Sequence, residues 1–217
     1  MVRVKICGVT NVSDARFAAR CGADALGFNF YPPSPRYLAP ERARAIIAAL
    51  PPFVTTVGIF VNERPERVME ICDLCGLDAA QLSGDETPAQ AAALRGVRRI
   101  KAICVRNEDD VARCRRYQVE AFLLDAYVEG QPGGTGQTFA WPLAREAAQF
   151  GPVILAGGLT PDNVEEAIET AAPYAVDVAS GVESEPGTKD RALMAAFIQR
   201  AKGVVPVSYT HLRAHET

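Results

Sequence analysis

The first 203 residues contain no histidine; His211 and His215 both stand at the extreme end of the 217-residue chain. Imidazole is the usual proton carrier near neutral pH. Acid–base chemistry in the body of this chain therefore falls to Cys, Asp, Glu or Lys. An excess of basic charge is also missing. Lys and Arg number 23 against 26 Asp and Glu, a formal net charge of −3, which argues against a nucleic-acid surface. No apolar run reaches the length of a membrane span. No secretory pattern precedes the first strand-like run. A Pro/Gly/Ser linker is absent too, and 48% hydrophobic content in a chain this long suits one globular domain.

The six cysteines, Cys7, Cys21, Cys72, Cys75, Cys104 and Cys114, are scattered through apolar segments. That spacing is not a secreted disulfide framework, and a reducing cytoplasm is expected. Cys72-x-x-Cys75 lacks a second pair and falls on a helix, so core packing is expected there in place of zinc. Residues 204–217 follow a finished helix and look like vector-derived read-through, which leaves 1–203 as the domain. His211 and His215 have metal-compatible spacing but are incidental in such a tail.

Strand-like and helix-like segments alternate throughout. Strands are expected at 2–7, 24–29, 54–61, 78–82, 98–104, 120–125, 152–156 and 175–179, as short apolar or β-branched runs between turn signals. Helices are expected at 12–21, 40–50, 65–75, 87–95, 108–116, 140–149, 161–171 and 189–201. Thr87-Pro88 and Thr160-Pro161 read as helix starts, and Glu63-Arg64-Pro65 opens another in a similar way. Gly22, Gly76 and Gly96 read as stops. Eight such units imply parallel strands joined by crossovers, and hence an α/β fold, a single-domain (β/α)8 barrel. An open doubly wound sheet is the rival, weakened by the lack of G-x-G-x-x-G after the first strand.

Catalytic groups of such a barrel sit where its strands end. Val2-Arg3-Val4-Lys5-Ile6-Cys7-Gly8 ends in a thiol, with Lys5 on the same face two residues earlier. An isolated Cys is more often core packing. Beside an ammonium it would be expected to ionise more easily and serve as base or nucleophile. Asp125 closes Phe122-Leu123-Leu124-Asp125. It is either a cap or a general acid whose pKa burial has raised. Backbone N–H groups in Gly130–Thr138, Gly157-Gly158 and Ser180-Gly181 suit a phosphate. Arg36, in Ser34-Pro35-Arg36, could clamp a carboxylate. Asp177 is either a hydroxyl ligand or a satisfied buried acid.

In order along the chain, Lys5-Ile6-Cys7-Gly8, Ser34-Pro35-Arg36, Gln81-Leu82, Leu124-Asp125, Gly133-Gly134-Thr135-Gly136, Ala156-Gly157-Gly158-Leu159 and Asp177–Glu183 resemble the phosphoribosylanthranilate isomerase family of tryptophan biosynthesis, over about residues 2–202. The resemblance implies a cofactor-free Amadori rearrangement of a phosphoribosyl anthranilate in the cytoplasm. It implies Cys7 as base and Asp125 as acid. It places Lys5, Arg36, Gln81, Gly133, Gly134, Gly157, Gly158, Asp177, Ser180 and Gly181 on the substrate, with no metal, nucleic acid or membrane partner. A monomer is favoured. The chain departs from the family in having Ser83 where His is usual and Gln137 where Lys is frequent. Other phosphosugar barrels, and a non-catalytic phosphate-binding barrel, are the alternatives.

Overall fold

Short apolar strands bounded by glycine, proline and acidic turns have one stable arrangement when helices separate them: side by side, covered by those helices. The computed structural model describes residues 1–126 and 141–204 and has this arrangement. Its strands are β1 (Arg3–Ile6), β2 (Ala25–Asn29), β3 (Thr55–Phe60), β4 (Ala79–Leu82), β5 (Arg98–Val105), β6 (Ala121–Ala126), β7 (Val153–Ala156) and β8 (Ala175–Val178). Each pairs in parallel with the next, and β1 pairs with β8, closing the barrel. Helices α1 (Val12–Cys21), α2 (Pro40–Ile47), α3 (Pro65–Cys75), α4 (Pro88–Ala93), α5 (Glu108–Ala112), α6 (Trp141–Ala147), α7 (Val164–Ala171) and α8 (Arg191–Gly203) alternate with them. A small antiparallel hairpin, β9 (Glu183–Glu185) and β10 (Thr188–Lys189), lies between β8 and α8.

Strand alternation divides the core in two. Val57, Ala79, Ile100, Leu123, Ile154 and Ala175 fill the barrel interior. The opposite strand faces meet the helices in a larger core that includes Phe28, Phe122 and Phe197. All three phenylalanines are sealed from solvent, and each such burial is worth about 1.5–3 kcal/mol.

The expected punctuation is mostly where the residues put it. Thr87 and Gln90 form a reciprocal capping box with Pro88 in the first turn of α4. Gly22 and Gly76 end α1 and α3 at φ +97° and +67°, conformations that cost L side chains. Helix α7 differs from expectation. It begins at Val164, not at Pro161, and Thr160 does not cap it. The Asn163 side chain accepts from the Thr160 N–H at 2.8 Å and donates to the Gly158 carbonyl at 2.9 Å. That ties residues 158–163 into a turn, with the Thr160 hydroxyl accepting from the Asp162 N–H. The expected helices at 40–50, 108–116 and 140–149 are shorter, and the last two finish as tighter 3-10 turns. Cys72 and Cys75 are buried in the outer core, as their spacing suggested, and burial pushes the Cys72 thiol up to about 12. No described helix is long and apolar enough to cross a membrane.

Candidate active site

The same alternation that packs the lower barrel aims Lys5, Gln81, Asp125 and Asp177 inward near the strand ends. Cys7 lies one residue past β1 and keeps its ladder, its N–H donating to the Val178 carbonyl at 2.8 Å. Two glycines make its surroundings possible. A Cβ on Gly27, across on β2, would stand 3.0 Å from the Cys7 sulfur and 3.2 Å from its Cα. A Cβ on Gly8 would collide with the Arg36 side chain, so that arginine lies over the turn beside the thiol.

Lys5 draws the Cys7 thiol down, as the sequence suggested, but its ion pair is with Asp177. Its Nζ donates to Asp177 Oδ1 at 2.8 Å across the β1–β8 register, and both residues are buried. Burial alone would lower the Lys5 pKa; Asp177, then Cys7, outweighs it and holds the ammonium charged. The Cys7 thiol is pushed above its ordinary value by burial first and by the Asp177 charge second. Lys5 and Lys189 pull it back without reversing the direction. The expectation of a lowered thiol pKa is therefore corrected: burial and the Asp177 charge outweigh the pull of Lys5. Asp177 is thus buried and paired with Lys5.

Asp125 sits at the strand end facing the mouth, paired in register with Cys104 on β5 and Ala156 on β7. Burial first, then Asp177, raises its pKa. Its exposure to solvent at the mouth moderates that push, because water still solvates the carboxylate. Among the described residues nothing donates to it. Gln81 is buried; its Nε2 donates to the Ser83 hydroxyl at 3.0 Å, leaving its Oε1 without a partner among the described residues. A buried acceptor left open is costly, and a bound donor would relieve it. Ser83 thus fixes which end of the Gln81 amide faces the barrel.

Beyond β7, Gly157 and Gly158 have φ of +85° and +63°, and beyond β8, Ser180–Val182 forms a 3-10 turn. The two turns touch. A Cβ on Gly181 would run into the Leu159 carbonyl oxygen. Successive N–H groups in such turns can gather round an anion. Gly133 and Gly134 lie outside the described residues, as do Gln137, His211 and His215.

Arg36 is not a free clamp. Its Nε donates to Glu183 Oε1 at 2.8 Å and its Nη2 to Glu183 Oε2 at 2.6 Å. Lys189 Nζ donates to Glu183 Oε1 at 2.7 Å. Lys189 was missed in the sequence, where it reads as an ordinary helix-start charge; no local pattern shows that the β9–β10 hairpin carries it inward. Also missed was a buried pair, Lys101 Nζ to Glu86 Oε2 at 2.8 Å. It fastens the loop after β4, with Glu86 accepting from the Asn62 and Gly84 N–H groups.

A closed barrel with an inward thiol, an up-shifted carboxyl and glycine turns after its last two strands defines a (β/α)8 enzyme of the acid–base kind. The family model described as N-(5'phosphoribosyl)anthranilate (PRA) isomerase matches residues 4–200. The chain belongs to that family. It is 56% identical over 203 residues to the N-(5'-phosphoribosyl)anthranilate isomerase of Geobacter sulfurreducens, covering 94% of this chain and 100% of that one. Among solved structures, phosphoribosyl anthranilate isomerase from Thermotoga maritima superposes with a TM-score of 0.87 at 45% identity, covering 94% of this chain and 100% of that chain. A phosphoribosyl anthranilate isomerase in complex with reduced 1-(o-carboxyphenylamino)-1-deoxyribulose 5-phosphate has a TM-score of 0.84 at 43% identity, with coverage of 94% and 100%.

Proposed function

We propose that the mouth of this barrel converts N-(5-phosphoribosyl)anthranilate to 1-(2-carboxyphenylamino)-1-deoxyribulose 5-phosphate, an Amadori rearrangement of tryptophan biosynthesis. Asp125 gives a proton to the furanose ring oxygen. The bond from that oxygen to C1 breaks, and the nitrogen lone pair forms the C1 iminium. Cys7, as thiolate, removes the proton from C2. The electrons of that C–H bond form the C1–C2 double bond and neutralise the nitrogen. The resulting enolamine takes a proton at C1 and loses the C2 hydroxyl proton, giving the ketone. The iminium is the electron sink, so the reaction draws on no cofactor. The turns at Gly157-Gly158 and Ser180-Gly181 hold the phosphate, Arg36 meets the aryl carboxylate, and the open Gln81 acceptor takes a substrate donor.

The observation that carries this reading is the placing of one thiol and one carboxyl at the same end of a histidine-free barrel, with the carboxyl shifted toward its protonated form. An upward shift enlarges the fraction of Asp125 that carries a proton at the working pH. All these groups come from one chain, so the reading requires no second subunit. Six free cysteines accord with action in the cytoplasm. The family match ends at residue 200, and residues 204–217 are proposed to take no part.

The test follows the fluorescence of N-(5-phosphoribosyl)anthranilate as purified protein consumes it. Cys7→Ala and Asp125→Asn should each lower kcat by about 10²–10⁴, the usual worth of a positioned acid or base. Folded wild-type protein without turnover would refute the reading.

A further inference from the structure

Glu183 occupies one edge of the Arg36 guanidinium, the edge made by Nε and Nη2. A guanidinium carries five N–H donors. The edge made by Nη1 and the second Nη2 hydrogen is left, and it matches a carboxylate in two-point fashion. Glu183 therefore aims Arg36. It also brings a difficulty: an arginine paired to a carboxylate is neutral as a unit, and a second carboxylate approaching it meets the first one's charge.

Lys189 removes that difficulty. Its Nζ donates to Glu183 Oε1 at 2.7 Å and to the Ala179 carbonyl at 3.0 Å. The Lys189 side chain is 0% exposed and that of Glu183 3%, whereas that of Arg36 is 22% exposed. Two positive charges thus face one negative charge, and of the three groups Arg36 is the one open to solvent. Burying an ammonium is costly, and an apolar side chain would fill the same space at less cost. Burial accordingly lowers the Lys189 pKa against the pull of Glu183. The fold gains little from this charge, but the ligand site gains a net cation.

We propose that Lys189 is a positioning residue for substrate binding: it offsets Glu183, so that Arg36, held in aim by Glu183, keeps the net positive charge that captures the aryl carboxylate. The inference rests on the functional reading above and adds a residue to it. Lys189 itself touches no substrate.

The experiment measures binding, which does not depend on turnover. The probes are reduced 1-(o-carboxyphenylamino)-1-deoxyribulose 5-phosphate and its counterpart lacking the carboxylate, titrated at low salt into the wild type, Lys189→Met, Glu183→Gln and the double variant. Lys189→Met should weaken the carboxylate ligand on the order of tenfold, as expected for one lost charge near a partly buried site. The counterpart should be affected far less. Adding Glu183→Gln should recover part of the loss, since Arg36 is then unopposed and the amide oxygen still accepts one of the two bonds that aim it. Equal losses for both ligands, or a double variant no tighter than Lys189→Met, would overturn the proposal, as would a wild type that fails to discriminate the two ligands. If Lys189→Met does not fold, the double variant, which strands no charge, decides the matter by its ratio of the two affinities. Wild-type protein that discriminates the ligands but turns over no substrate would refute the catalytic reading and leave this one standing.

Discussion

Replacing Lys5 with Met strands a carboxylate. In the wild type the ammonium lies 2.8 Å from Asp177 Oδ1, with Lys5 2% and Asp177 8% exposed. Among the described residues no second donor reaches Asp177. Breaking a buried pair by removing one partner costs about 3–5 kcal/mol, because the remaining charge has neither water nor counter-ion. Single-domain proteins hold about 5–15 kcal/mol in all, so this is a large share. With m near 2 kcal/mol/M, the urea midpoint should fall by about 1.5–2.5 M. The pH dependence is the sharper test. In the wild type the folded Lys5 pKa is raised. Its contribution is therefore complete below the unfolded value of about 10.4 and is lost as pH rises through the folded value. In Lys5→Met the Asp177 carboxylate is left buried without its counter-ion, a charge that acid conditions relieve. The deficit should thus be largest near neutral pH and shrink as pH falls toward 4. Lys5→Met combined with Asp177→Asn should regain most of the stability. A deficit below about 1 kcal/mol, or one equal at pH 4 and pH 7, would show that the pair does not hold this part of the barrel.

Two further predictions concern the chemistry directly. Reaction needs Asp125 protonated and Cys7 ionised, while both pKa values are shifted upward. The profile of kcat/KM should then be a broad plateau between them. Its acid limb, where the thiolate is lost, lies above the ordinary aspartate range; its alkaline limb, where the acid proton is lost, lies above the ordinary thiol value. Limbs closing in on pH 7 from both sides would contradict the assignment. Gly27→Ala pushes a methyl toward the Cys7 sulfur and backbone. It should cost about 1–3 kcal/mol by overpacking and lower kcat by roughly tenfold through displacement of the base, read by urea unfolding and steady-state kinetics. Wild-type kcat in a folded Gly27→Ala protein would mean that the thiol position is not critical.

Local patterns carried most of the fold. Each strand is a short run buried on both faces, and Gly22, Gly76 and Thr87-Pro88 are punctuation whose physics is complete within a few residues. The start of α7 was misread because the Thr160-Pro161 signal competes with Asn163, whose amide binds backward to Gly158 and delays the helix. At the site, the positions of Cys7 and Asp125 were legible because strand alternation fixes direction. Their electrostatics were not. The charge that decides the behaviour of Lys5 is Asp177, 172 residues away, and the one that decides Arg36 is Glu183, 147 residues away. No spacing rule reaches that far. Lys189 was illegible for the same reason, its partner and its burial both being set by a two-strand hairpin with little periodicity.

The Lys5–Asp177 contact crosses the one seam of the barrel where the first strand meets the last. The thiol beside it is made early in synthesis, but the charges that tune it arrive only when β8 and the β9–β10 hairpin dock. Contacts this distant in sequence are the last to repay their loop-closure entropy. Until the ring shuts, Cys7 is an ordinary cysteine on an unpaired edge, open to oxidation and to alkylating reagents. The protection of that single sulfur against such a reagent during refolding would therefore time the closure of the barrel, and the appearance of activity would coincide with it.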